Sequence, residues 1–373
     1  MKIRIAAIVG IVLVLGVVNL AIAATSGTSP RKPRAVQISA LTPTQLAGER
    51  VISSYSGLTP PAALVAQIKA GEVAGVIFFQ NNIASASQLK SVIAGLQSDA
   101  MQSPVKLPLL MLTDQEGGEV RRLSGAPQLS EKQIGMSAAA GAAATSAGRQ
   151  AAANLESSGI NVNLAPVLDV YRKAGNFIDR YDRSYSDVPS RVAQLGANFI
   201  RAQQHAGVAA TAKHFPGLGA AARNQDTDLA PVTLNVPLST LRSVDELPYR
   251  AAIGSGVKLV MVSWARYPAV DPSRPAGLSS TVVQGELRTR LGFKGVTVTD
   301  ALGAGALRAY GGTSSRAVLA AKAGMDLLLC AGQQVGEGTA ALGALAHGLS
   351  AGSLSNSAFT ASVQRVLGLR RSL

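Results

Sequence analysis

Val208-Ala209-Ala210-Thr211-Ala212-Lys213-His214-Phe215-Pro216-Gly217-Leu218-Gly219 is the stretch on which the fold turns. Its first five residues form a short apolar run, with the length and make-up of a strand buried on both faces. A lysine and a histidine then emerge together, and a proline and two glycines stop both strand and helix. Such a pair can be a solvated turn after a strand. Three other apolar runs, however, also end on a charged residue. Leu107 to Thr113 ends at Asp114, Ile160 to Leu168 at Asp169, and Gly295 to Thr299 at Asp300.

Further runs at Val73 to Phe79, Val257 to Ser263 and Met325 to Cys330, with Glu49 to Tyr55 the weakest, bring the expected strands to seven or eight. Helical patterns separate them. In Ser190 to His205, Val192, Leu195 and Phe199 share a face, Pro189 stands near the start and Gly207 follows the end. Leu238 to Ile253 is another such pattern, with Ser239 as its expected cap. Strands alternating with helices predict an α/β protein, a single (β/α)8 barrel over residues 43–373. The competing doubly wound sheet would carry a glycine-rich phosphate loop after its first strand, and no such fingerprint occurs.

Hydrophobic residues make up 47% of the 373 and aromatic residues only 4%, so the core should be built from Ala, Val, Leu and Ile. Lys2 and Arg4 precede an apolar run from Ile5 to Ala23 that closes on the small-residue site Ala21-Ile22-Ala23. Residues 1–23 therefore read as a signal peptide or, since the run is long for one, a retained membrane anchor. Either reading puts the remainder outside the cytoplasm, secreted or held in the cell envelope. Residues 24–42, rich in Ser, Thr, Pro and Ala with the cluster Arg31-Lys32-Pro33-Arg34, read as a flexible linker.

Cys330 is the only cysteine, which excludes an intramolecular disulfide and predicts a buried, inert thiol. One cysteine and three histidines give no basis for a structural zinc site. The formal charge of +14, which becomes 14 − 2 = +12 if Lys2 and Arg4 leave with a signal, suggests attraction of an exported chain to anionic cell-envelope polymers. Nucleic acid is not expected, because no recognised binding module occurs and few aromatics are available to stack on bases.

A barrel gathers its chemistry at the C-terminal ends of its strands. Asp114 to Gly118 with Arg121 and Arg122, Asp169, the segment Asp182-Arg183-Ser184-Tyr185, Lys213, His214 and Asp300 would share one mouth. Each alone passes for a rim ion pair. Together, uncompensated charges of both signs are too costly to bury without a polar ligand, and a sugar fits them.

The chain here resembles the glycoside hydrolase family 3 β-N-acetylhexosaminidases. The matching segments are Leu112-Thr113-Asp114-Gln115-Glu116-Gly117-Gly118, Asn163-Leu164-Ala165-Pro166-Val167-Leu168-Asp169, Arg183-Ser184-Tyr185, Lys213-His214-Phe215-Pro216-Gly217 and Val298-Thr299-Asp300, in an order that runs from about residue 43 to the end. The resemblance implies a TIM-like barrel and retaining hydrolysis through a covalent glycosyl-enzyme, with no metal or cofactor. It implies Asp300 as nucleophile, and Asp114, Arg122, Arg183, Lys213 and His214 as ligands of a bound N-acetylglucosamine. The implied activity removes terminal β-linked N-acetylglucosamine, with peptidoglycan fragments as the expected source.

One departure matters most. The family's acid/base is an Asp-x-His dyad on the loop after Lys-His-Phe-Pro-Gly, but the loop from Ala220 to Asp228 contains no histidine. Asp226 is expected to replace the dyad as the second carboxylate of a retaining pair, with Asp228 in reserve. Trp264 stands where a histidine is common, either stacking on the sugar or filling space. Ala301 stands where a second aspartate usually follows the nucleophile. A non-catalytic receptor for wall sugars, a β-glucosidase and a phosphorylase are the other readings. A carboxylate acid/base disfavours the phosphorylase, because it would repel phosphate.

Overall fold

Eight short parallel strands close into one barrel, in a computed structural model that describes residues 37–373. In chain order they are β1 (Val51–Ser53), β2 (Gly75–Ile77), β3 (Leu110–Thr113), β4 (Val162–Asn163), β5 (Ala209–Phe215), β6 (Leu259–Val262), β7 (Val296–Ala301) and β8 (Leu327–Leu329). Each strand pairs with its neighbours in sequence, and β1 closes the ring on β8 through Val51 opposite Leu328. The weakest expected strand is thus the one that seals the barrel.

Strand alternation explains how the ring fills itself. Ile52, Ile77, Leu110, Leu112, Val162, Ala209, Leu259, Met261, Val296, Val298, Leu327 and Leu329 form one buried cluster to which every strand contributes. Their in-between neighbours Val51, Met111, Val260 and Leu328 pack outward against the helices. Burying each such aliphatic side chain stabilises the fold by about 1.5–3 kcal/mol. The outer shell uses small residues, as the low aromatic content foretold. The helix Ala140–Ser157 buries Ala144, Ala147, Ala151 and Ala152 and lies against Pro189–His205, which buries Val192, Leu195 and Phe199.

The last helix, Asn356–Ser372, adds Val366 and Leu369 to the barrel interior. Buried charges fix it there. Asp326 accepts from Arg365 at 2.7 Å, from Arg288 at 2.5 Å and from the Thr297 amide at 2.9 Å, while Arg370 pairs with Glu49. Cys330 is free and fully buried, and burial pushes its thiol well up, as expected of an inert cysteine.

Three boundaries differ from expectation. The run Ile160 to Leu168 forms a ladder only at Val162–Asn163, and the chain then leaves strand geometry on its way to Asp169. The helix expected at Leu238 to Ile253 has Pro237 and not Ser239 at its N-cap position, with no capping side chain, and a π-turn at Leu241–Asp245 interrupts it before it restarts at Leu247. Pro248 explains the restart, since a proline is accommodated in a first helical turn but not in a helix interior. The expected linker at residues 24–42 is structured at its end: Ile38–Ala40 make a turn, Ile38 and Leu41 touch the core, and Thr42 caps Pro43–Gly48. The expected signal or anchor at residues 1–23 lies outside the described residues. Among the described residues, no helix is long and apolar enough to cross a membrane.

Candidate active site

The strand ends at the C-terminal face surround a cavity of about 240 Å³. Asp114, Arg122, Arg183, Lys213, His214, Asp226 and Asp300 all line it, whereas Arg121, Asp169 and Asp182, also expected at the mouth, do not. Asp228, the reserve, lines it too.

Lys213 leaves the end of β5 fully buried and reaches across the barrel. Its ammonium lies 2.8 Å from Asp114 Oδ1 and 2.7 Å from Glu116 Oε1. Glu116 in turn takes two parallel bonds from Arg183, at 2.9 and 2.8 Å. Burial alone would raise the Glu116 carboxyl, but Arg183 and then Lys213 outweigh it and hold it well below the usual carboxylate range. Burial alone would equally neutralise Lys213, and here Asp114 and Glu116 prevail and hold its ammonium above the usual value. Arg122 comes within 3.9 Å of Asp114 Oδ2. The result is a rigid row of charges with hydrogen-bonding edges turned to the cavity, suited to gripping hydroxyls.

His214 is oriented from behind. Its Nδ1 lies 2.8 Å from Asp169 Oδ2, and the other Asp169 oxygen accepts the Leu218 amide at 2.6 Å. Nε2 is left toward the cavity, 3.4 Å from the Arg183 guanidinium. The turn after His214 depends on Gly219, where a Cβ would run into the Val170 carbonyl. Lys213–His214 and Phe215–Pro216 are both cis peptides.

Asp300 is the next-to-last residue of β7, and one of its oxygens accepts the Ala301 amide at 2.8 Å. It does not cap a helix. Ala301 is held in turn by Trp264, whose Nε1 donates to the Ala301 carbonyl at 2.8 Å. Trp264 is 1% exposed and lies outside the cavity lining, so it fills space and braces the β7 end rather than stacking on a sugar.

The loop from Gly217 brings both remaining aspartates to the rim. Asp226 Oδ1 accepts the Asp228 amide at 2.9 Å, a bond that shapes the turn. The Asp228 carboxyl sits among the atoms of the concave mouth although the residue as a whole is exposed. Loss of water there, then the charges of Asp300 and Asp226, push it up to about 6, against smaller opposing effects of His214 and Arg183.

Two residues that the sequence motifs contain, but to which they give no role, prove central. Glu116 is the hub that ties Lys213 to Arg183, and Asp169 orients His214. Both stand in the quoted segments, two residues after Asp114 and at the end of the run from Asn163. Their burial marks them as supports, and burial is what a linear sequence hides.

The family described as Glycosyl hydrolase family 3 N terminal domain matches residues 44–369. A protein of Arthroderma benhamiae named "Uncharacterized secreted glycosyl hydrolase" is 46% identical over 329 residues, covering 88% of this chain and 93% of its own length. A "Beta-hexosaminidase" of Xanthomonas oryzae pv. oryzae is 34% identical over 264 residues, covering 69% and 76%. Among solved structures, a glycoside hydrolase family 3 beta-N-acetylglucosaminidase from a Paenibacillus species superposes with a TM-score of 0.83 at 36% identity. That match covers 89% of this chain but only 63% of the Paenibacillus chain, so this chain spans less than two thirds of that relative. A Beta-N-acetylhexosaminidase from Beutenbergia cavernae superposes with a TM-score of 0.80 at 29% identity, covering 88% and 98%.

Proposed function

This chain belongs to glycosyl hydrolase family 3, and on that premise we propose that it is a retaining β-N-acetylhexosaminidase that removes terminal β-linked N-acetylglucosamine. The observation that carries the reading is the convergence of Asp300 with Asp114, Arg122, Arg183, Lys213 and His214 on one cavity of monosaccharide scale. The charge row binds the sugar hydroxyls and sets the ring with C1 over Asp300. Asp300 attacks C1 as the bond to the leaving oxygen breaks, giving a covalent glycosyl-enzyme. A proton must reach that oxygen as it departs. We assign this step to Asp228 in place of Asp226: burial, then the charges of Asp300 and Asp226, raise its carboxyl, and Asp226 spends an oxygen on the Asp228 amide. Asp228 then takes a proton from the water that releases the sugar.

The names of the relatives support the acetamido sugar, and the word "secreted" in the Arthroderma name supports an extracytoplasmic site of action. Peptidoglycan fragments are the source we propose, in keeping with the expected export and the net charge of +14. Attraction to anionic envelope polymers we place on the barrel flank. Arg149, Arg201, His205 and Lys258 line a groove of about 670 Å³ there that has no carboxylate in its wall.

The test is hydrolysis of an aryl N-acetyl-β-glucosaminide with the anomeric product followed by NMR. Release of the β-anomer, abolished in Asp300→Asn, is the expected result. Release of the α-anomer, an unaffected Asp300→Asn, or a preference for the aryl glucoside lacking the acetamido group would overturn it.

A further inference from the structure

The loop that carries Asp228 does not hang free over the cavity. Its backbone is tied to the turn that follows the nucleophile: the Gly305 amide donates to the Asp228 carbonyl at 2.7 Å, and the Ala306 amide donates to the Thr227 carbonyl at 3.0 Å. The turn is tied to β7 in its own right, since the Ala304 amide donates to the Ala301 carbonyl at 3.1 Å. Asp300 and Asp228, 72 residues apart by their numbers, are therefore mounted on one continuous piece of hydrogen-bonded backbone.

That contact exists because residue 305 has no side chain. A Cβ on Gly305 would overlap the Leu229 carbonyl carbon and oxygen and stand 2.9 Å from the Asp228 carbonyl oxygen. All three atoms are backbone, so nothing can rotate aside. The Gly305 φ lies outside the left-handed region, and the glycine is needed for space and not for its backbone freedom. Thr227 is buried, so the strap lies beneath the loop and not on its outer surface.

We propose that Gly305 is a positioning residue that sets the separation of the proton donor from the nucleophile. The inference rests on the reading of Asp300 and Asp228 given above. Retaining chemistry needs the two carboxyl groups close, at about 5–5.5 Å, and a side chain at 305 would lift the loop by displacing the Asp228–Leu229 backbone. The donor would then lose both its reach to the leaving oxygen and the field of Asp300. The nucleophile, anchored in β7, would stay.

The experiment compares Gly305→Ala with the unaltered enzyme on two substrates, a 2,4-dinitrophenyl glycoside that needs no protonation and a disaccharide that does. The disaccharide kcat/KM should fall at least about tenfold and the dinitrophenyl kcat/KM by less than about threefold, since general acid catalysis of the first step supplies roughly 10²–10⁴ only where the leaving group is poor. The alkaline limb of the disaccharide pH profile should move to lower pH, because Asp228 leaves the neighbourhood that raises it. A merely structural role would lower both rates together and leave the limb in place, and that result overturns the proposal. Should Gly305→Ala melt below the assay temperature, Ala306→Pro, which deletes one strap bond and adds no bulk beside Leu229, must show the same split between substrates. Asp228→Asn is the control for the underlying assignment. No split in Asp228→Asn removes the assignment and this inference with it. A split in Asp228→Asn but not in the Gly305 and Ala306 variants removes this inference alone.

Discussion

Glu116 receives Arg183 through two parallel hydrogen bonds, and this pair anchors the cationic side of the site. Lys213 shares the same carboxylate, so Glu116→Gln would leave the buried Lys213 and the partly buried Arg183 with Asp114 and the more remote Asp169 to offset them. Removing one partner of a buried ion pair costs about 3–5 kcal/mol. We expect a loss of that order in a urea titration at pH 7, with a raised KM as the charge row loosens. The sign of the pH dependence follows from the lowered carboxyl. Its stabilisation is complete above the ordinary value of 4.5 and is lost only as pH falls through the lower folded value, so the unaltered enzyme should outlast the variant most clearly from pH 5 upward.

The rate on a disaccharide should fall as pH rises through about 6. Asp228 must hold a proton to act as acid, and its carboxyl titrates near that value because of burial and the Asp300 charge. Asp228→Asn should remove the limb and cost about 10²–10⁴ in kcat/KM on the disaccharide while sparing kcat/KM on a dinitrophenyl glycoside, whose first step needs no proton. Asp226→Asn should keep the limb but move it to lower pH, because one of the charges that raise Asp228 is gone. A limb that survives Asp228→Asn and disappears in Asp226→Asn would return the proton to Asp226.

The fold was legible because period and punctuation agree along the chain. Val208 to Ala212 is apolar at every position but Thr211 and is stopped at Pro216 and Gly217, and the barrel strand Ala209–Phe215 lies there. Even the weak run at Glu49 to Tyr55 yields the strand that closes the ring. The converging site residues were legible for the same reason, since charged side chains at strand ends must share one mouth. What stayed hidden depends on contacts between distant segments. Glu116 and Asp169 look like ordinary acidic residues until burial joins them to Arg183 and His214. The choice between Asp226 and Asp228 turns on how a two-residue turn folds over Asp300, and spacing alone does not carry that. Trp264 looked available for stacking because nothing local to it reports the Ala301 carbonyl that it meets.

Trp264→Phe should show that bracing at work. The ring volume is largely kept, but the Ala301 carbonyl next to the nucleophile loses one of its two donors and keeps only the Ala304 amide. Loss of one such hydrogen bond costs about 0.5–1.5 kcal/mol, and we expect a thermal midpoint lowered accordingly. Because Asp300 shares that strand end, kcat should fall with KM little changed. An altered KM with unchanged kcat would mean that Trp264 meets the sugar after all.

Binding to an anionic polymer should depend on the flank groove and not on the mouth. The double variant Arg149→Gln/Arg201→Gln should elute from a poly(glycerol phosphate) column at lower salt than the unaltered enzyme. Its hydrolysis of a soluble aryl substrate should be unchanged, because the groove and the catalytic cavity share no lining residue. Elution at the same salt would leave the attraction to the net charge of the whole surface.

Water, and not phosphate, should end the reaction. A phosphorylase must seat an anion beside its acid/base over the glycosyl-enzyme. Here Asp226 and Asp228 both stand at that rim, and the second half of the cycle requires Asp228 as a carboxylate to activate the incoming nucleophile. A dianion approaching two such groups at about 4 Å is opposed by roughly 4 kcal/mol per pair of unit charges at the effective dielectric of a protein surface, whereas neutral water is not. In phosphate buffer the product should therefore be free N-acetylglucosamine at a rate independent of phosphate concentration. Appearance of the sugar 1-phosphate, rising with phosphate, would show that Arg183 and His214 outweigh the two aspartates and would assign the chain to phosphorolysis.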